Sequence, residues 1–142
     1  MDRVTGLERA RMMLAGGGQP PIGKSLGFAL VEVEEGRVVF AGVPGPESYN
    51  LMNSAHGGYA ATLLDSACGV ATLTRLGVGQ GMTTLELKVS YHRGITLETG
   101  VVRATGTTVS VGKRIAFAEA KLADASGRLL ASATSTLLVM DR

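Results

Sequence analysis

Asp65 is the one charge between residues 57 and 74, in the run GGYAATLLDSACGVATLT, where small and apolar residues are broken only by hydroxyls. Burying a carboxylate without partners costs on the order of several kcal/mol, or leaves it neutral. A chain keeps such a group where it does chemistry or orders an interface, and a partly desolvated acid has the basicity a general base needs. Immediately before this run stand His56, Gly57 and Gly58, with Asn50 six residues ahead of the histidine. If the run is a helix, the two glycines present backbone N–H groups at its positive end with no side chain in the way, an arrangement that suits an oxyanion or another anion. Gly57 and Asp65 are eight residues apart, roughly 12 Å along a helix. One carbonyl group cannot touch both. If they cooperate, they come from two different copies of the chain.

The elements that must position these residues follow from the pattern around them. Residues 5–15 have helical spacing and end at Gly16-Gly17-Gly18, and "GGGQPPIGKS" then reads as a linker or lid. "LGFALVEVEEGRVVFAGVP" is β-rich on both sides of a turn at Glu35-Gly36, and Pro44 and Pro46 open a loop that runs to His56. A long helix is expected over 57–75. After it, "MTTLELKVSYHRG" alternates, with Thr83, Leu85, Leu87, Val89 and Tyr91 on one face and Thr84, Glu86, Lys88, Ser90 and His92 on the other. Further strands are expected over about 97–109, 113–124 and 128–140. The order is two strands, one long helix, four strands. One helix that is apolar on every side should be buried on every side. It cannot cover both faces of a six-stranded sheet, so the sheet should be antiparallel and curl around it. The expectation is an α+β hotdog fold, one domain over 1–142, with a helix and linker over 1–25 and the core over 26–140. Its free sheet edge would favour pairing with a second copy.

Composition narrows the function classes. The chain is 45% hydrophobic and 18% charged with net charge +2, and aromatics make up 4% with no Trp, so nucleic acid is not an expected partner. The single Cys68 leaves no disulfide framework and no Cys-based metal site, and reads as a small core hydrophobe. The two histidines, His56 and His92, are too far apart for metal-ligand spacing, and no metal is expected. The N-terminal stretch has no apolar run of signal-peptide length, and an acid at the centre of 57–74 argues against a membrane span. A cytoplasmic protein is the expectation.

"NLMNSAHGGYAATLLDSACGVAT" followed by "TTLELKVSY" resembles the phenylacetate-degradation (PaaI-like) group of hotdog acyl-coenzyme A thioesterases. The resemblance runs over about 26–140. It implies hydrolysis of an acyl- or aryl-CoA thioester, with CoA as part of the substrate and no separate cofactor. It also implies roles. Asp65 matches the carboxylate that activates water or attacks in its place, and Gly57 matches the amide that polarises the thioester carbonyl. Asn50 matches a side chain that positions that carbonyl or the water, with His56 beside it. Thr84 matches a hydroxyl that holds the water near Asp65. Gly58, Arg93, Lys113 and Arg114 are candidate substrate contacts, the cations for CoA phosphates at the end of one strand and at the hairpin tip "VSVGKRIAF". Tyr59, Met52 and Met82 are candidates for the pocket lining. The expected assembly is a homodimer with composite sites, extended to a dimer of dimers, a homotetramer. Two other readings use the same residues. A hotdog hydratase or dehydratase would need His56 as its base, and a non-catalytic acyl-CoA-binding module would leave Asp65 without work.

Overall fold

The computed structural model describes residues 3–142. Its elements are α1 (Gly6–Ala15), α2 (Pro21–Leu26), β1 (Phe28–Glu34), β2 (Arg37–Gly42), α3 (Gly57–Leu73), β3 (Gln80–Tyr91), β4 (Val102–Val111), β5 (Ile115–Asp124) and β6 (Leu129–Asp141). The six strands form one antiparallel sheet in the order β1-β2-β4-β5-β6-β3, and α3 packs against β2, β3, β4, β5 and β6. This is the hotdog arrangement expected from the element order.

Side-chain size explains how closely the helix lies on the sheet. Along β5 the inward positions are Ala116, Ala118, Ala120 and Leu122, all buried, while Phe117, Glu119 and Lys121 face out. On β4 the matching inward residue is Gly106, where an added Cβ would run into the backbone of Ala67. Leu63, Leu64, Ala67, Cys68 and Ala71 of α3 are fully buried above this floor. Burial pushes the Cys68 thiol up to about 12, with the charges of Asp65 and Glu119 adding to the effect. Cys68 is the inert small hydrophobe that its neighbours suggested.

Four expectations need correction. First, α3 is not buried on every side: Ala61, Thr62, Asp65 and Ser66 form a half-buried strip. Asp65 is bonded from β3, the last strand of the sheet, and among the described residues no strand lies beyond β3 to close over that side. Second, the alternation of β3 breaks at a bulge. Thr84 pairs with Leu137 and Glu86 with Thr136, which leaves Leu85 unpaired. Leu137, Ser135 and Ala133 are buried on the inner face of β6. Their partners Thr84, Leu87 and Val89 therefore face inward together, and Glu86 faces outward, where it accepts a bond from Thr136 at 3.1 Å. Third, part of the supposed linker is helical: α2 begins at Pro21, whose fixed φ suits a first helical position. Fourth, β4 starts at Val102 rather than at 97, because Thr96 and Thr99 close a hydrogen-bonded turn (Thr99 N–H to Thr96 carbonyl, 3.1 Å).

The two sheet edges differ. β1 is covered by the N-terminal segment: the Leu30 N–H donates to the Gly18 carbonyl at 2.7 Å, and α1 packs on β1. β3 carries no strand on its outer side and stays largely exposed over its twelve residues.

Candidate active site

The start of α3 is held from three directions. The His56 N–H donates to the Ser48 carbonyl at 2.7 Å, and the Ala55 N–H donates to Ile95 at 2.8 Å. His56 is the N-cap, its Nδ1 accepting the Gly58 N–H at 2.8 Å. With Nδ1 accepting, the nitrogen left to donate is Nε2. The expectation that both glycine amides are free is therefore corrected, because Gly58 is capped. Among the described residues the Gly57 N–H has no partner. Its carbonyl does, since the Tyr91 hydroxyl donates to it at 2.7 Å. The Tyr91 ring lies so near that a Cβ on residue 57 would sit 3.0 Å from it, so glycine is the residue that fits. A cleft of about 380 Å³ opens here, lined among others by His56, Gly57, Tyr91, His92 and Arg93. Tyr91 was not singled out in the sequence. The available signal was its place as the one aromatic in the β3 alternation.

Two turns along the helix, Asp65 is half-buried and accepts the Thr84 hydroxyl at 2.9 Å on Oδ1. Its other oxygen is unbonded among the described residues. The bulge at Leu85 makes this contact compatible with the rest of β3, because it lets Thr84 face inward in step with Leu87 and Val89. Bulges recur where a strand must re-aim a side chain. Asp65 and Thr84 border a second cleft, of about 310 Å³, which shares no residue with the first.

The remaining candidates divide between the two ends. Arg93 lines the Gly57 cleft. Lys113 and Arg114 are at the opposite end of the sheet: the Arg114 carbonyl accepts from Val139, whose β3 partner is Met82, two residues from Thr84. Neither cleft includes Asn50. Its Oδ1 accepts the Met52 N–H at 2.8 Å and the Ser54 N–H at 3.3 Å, which ties the side chain into its own loop. Met52 points into solvent, and Tyr59 is buried in the core, with its hydroxyl pushed up to about 12 by that burial; neither lines a cleft. Met82 lines the Asp65 cleft. Among the described residues no group of His, Cys, Asp and Glu gathers as a metal site, and no helix is long and apolar enough to cross a membrane.

Comparison with known proteins adds a family to this geometry. The model of the thioesterase superfamily matches residues 52–131, more than half of the chain and all of α3 and β3. The chain belongs to the thioesterase superfamily. No curated protein matches it significantly. Solved structures do. A thioesterase family protein from Silicibacter pomeroyi is 24% identical, with a TM-score of 0.85 over 96% of this chain and 99% of that one, a likeness of fold. A mutant of the phenylacetic acid degradation protein PaaI from Thermus thermophilus is 28% identical (TM-score 0.76, 84% of this chain and 98% of that one). A Streptococcus mutans protein solved bound to acetyl-CoA is 26% identical (TM-score 0.73, 81% and 90%). This member of the thioesterase superfamily is a thioester hydrolase similar to PaaI, and in it Gly57 and Asp65 mark two separate clefts on one helix.

Proposed function

We propose that the protein hydrolyses acyl-CoA thioesters to the free acid and CoA, at sites each built from the Gly57 cleft of one copy and the Asp65 cleft of another. One observation carries this reading: the unbonded amide and the carboxylate sit about 12 Å apart on one helix, in clefts with no residue in common. Each is half of a hydrolytic site. A two-fold pairing along the bare edge of β3, with the α3 helices antiparallel, sets Gly57 of each copy against Asp65 of the other. The half-buried strip of α3 would be covered in the same step. Exposed Ile115 and Phe117 on the outer face of the sheet suit a second pairing into a dimer of dimers.

The chemistry then runs as follows. The thioester carbonyl oxygen accepts the Gly57 N–H, which adjoins the Gly57–Gly58 peptide held by the Tyr91 hydroxyl and the His56 cap. Asp65, steadied by Thr84, takes a proton from water as the water oxygen bonds to the carbonyl carbon. The oxyanion collapses, the C–S bond breaks, and the proton held by Asp65 goes to the departing sulfur. Direct attack by Asp65 through an anhydride is the variant of this scheme. In single-turnover hydrolysis in ¹⁸O-water, label in the Asp65 carboxylate identifies attack by the residue, with water then opening the anhydride at the Asp65 carbonyl. In the shared site Arg93 of one copy and the hairpin tip with Lys113 and Arg114 of the other come to the same side, where CoA phosphates need cations. Asn50 has no part in this scheme beyond shaping its loop. The acetyl-CoA held by the Streptococcus mutans relative supports a CoA substrate. Release of free thiol from a panel of acyl- and aryl-CoA substrates tests the reading. Absence of release from every member of the panel would overturn it.

A further inference from the structure

We infer that the N-terminal helices build the acyl-binding subsite, and that it takes an uncharged apolar acyl group of medium length. The inference rests on the thioesterase reading above and assigns the Asp65 cleft within it. That cleft is lined by a polar group, Asp65, Ser66 and Thr84, and a larger apolar one: Met13 of α1, Pro20 and Ile22 at α2, Phe40 of β2, Val70 of α3 and Met82 of β3. Phe40 and Val70 are buried and form the floor, while Ile22 is 49% exposed and forms a rim. Gly69 keeps the groove deep: a Cβ there would meet the Met82 terminal methyl at 3.2 Å. The wall is fixed to the fold, because the Gly18 carbonyl between α1 and α2 accepts the Leu30 N–H of β1 at 2.7 Å.

Charge decides which part of the substrate this cleft takes. Its lining contains no Lys, Arg or His, whereas the Gly57 cleft contains His56, His92 and Arg93. A polyanionic nucleotide belongs in the second and an apolar chain in the first. A carboxylate on the acyl group would meet the Asp65 charge with no cation to offset it, so succinyl and malonyl groups are disfavoured. The volume of about 310 Å³ holds on the order of ten water-sized groups at about 30 Å³ each, enough for a medium chain or a ring.

The test compares wild type with Ile22→Trp, which fills the cleft from a half-exposed position, and with Met13→Phe from α1. Circular dichroism checks that each is folded. Hydrolysis of acetyl-, octanoyl-, benzoyl- and succinyl-CoA is measured together with calorimetric binding of S-ethyl- and S-octyl-CoA, thioethers that cannot be hydrolysed. The wild type is expected to prefer octanoyl over acetyl and to discriminate against succinyl. In Ile22→Trp the octanoyl-to-acetyl ratio of kcat/KM should fall by at least about tenfold, the scale on which apolar pockets discriminate, and S-octyl-CoA should lose binding relative to S-ethyl-CoA. Equal effects on both chain lengths in both variants, or succinyl-CoA turned over as well as octanoyl-CoA, would overturn the inference. If no thioester is cleaved but S-octyl-CoA binds in an Ile22-dependent way, the subsite stands and the catalytic reading falls.

Discussion

The two ends of the α3 face toward β3 are built alike and do opposite things. At each end a hydroxyl from β3 donates to the helix: Tyr91 to the Gly57 carbonyl at 2.7 Å, Thr84 to the Asp65 carboxylate at 2.9 Å. At the Gly57 end the bond holds the Gly57–Gly58 peptide by its oxygen, while the Gly57 N–H, in the peptide before it, has no partner among the described residues. At the Asp65 end the bond holds one carboxylate oxygen and leaves the other free to accept. One end is equipped for a developing negative charge, the other for a proton. Their surroundings match these tasks, with His92 and Arg93 near the first and Met82, Val70 and Ile22 near the second. In the reading proposed above, a second copy of the chain completes each of these two half-sites.

This comparison can be broken at either end. The largest effect is expected from Asp65→Asn, which keeps the shape and removes the base: kcat should fall by roughly 10²–10⁴-fold in a protein with an unchanged circular dichroism spectrum. Wild-type turnover by the folded variant would remove the acid from the mechanism. At the other end, Gly57→Pro deletes the N–H at the first helical position, where proline is tolerated and His56 already has the extended ψ of 141° that a following proline prefers. A loss of about 10²–10³-fold is expected, the usual scale for one oxyanion donor. Gly57→Ala keeps the N–H while adding a methyl 3.0 Å from the Tyr91 ring, and should lose much less. Equal losses in the two variants would mean that crowding against Tyr91, and not the missing donor, is responsible.

Smaller effects sharpen the parallel between the two hydroxyls. Thr84→Val removes a bond to a charged group and should lower kcat by about tenfold or more, while Tyr91→Phe removes a bond to a neutral carbonyl and should cost less than tenfold. The reverse order would show that holding the Gly57–Gly58 peptide matters more than steadying the carboxylate. The smallest change is expected from the cations. Arg93→Ala, and Lys113→Ala combined with Arg114→Ala, should each raise KM for CoA thioesters a few-fold with little change in kcat, because phosphate contacts act as uniform binding. The effect should shrink as salt rises. If pantetheine thioesters suffer as much as CoA thioesters, these residues do not hold the phosphates.

Much of the fold could be read from the sequence because its two strongest patterns are long and unmixed. The apolar run 57–73 and the Ala116-Ala118-Ala120-Leu122 alternation each leave one place for the helix and the strand to go. What could not be read is short-range. The β3 bulge falls in Thr-Leu-Glu, with no glycine to mark it, so strict alternation put Thr84 beside Glu86 on the wrong face. The α2 turn is hidden in a Pro- and Gly-rich stretch whose composition argues for a linker. In the candidate site, the separation of Gly57 and Asp65 followed from helix rise alone, and the Asp65–Thr84 contact followed the resemblance. The inward turn of Asn50 had a local cue that was passed over: Asn-rich "NLMNS" is turn chemistry, and Asn53 sits at φ 65. For Tyr91 the one cue was being the sole aromatic of the β3 alternation, and that did not reveal its partner, a backbone carbonyl brought near only by the fold.

The central claim, a site shared between two copies, is tested most directly by mixing two inactive proteins. Asp65→Asn and Gly57→Pro are refolded together, and mixed dimers are verified by native mass spectrometry. A shared site gives each mixed dimer one site carrying both defects and one carrying neither. Half of the dimers are mixed, so about a quarter of wild-type activity should return. Verified mixed dimers that stay inactive would place the whole site within one chain and contradict the claim.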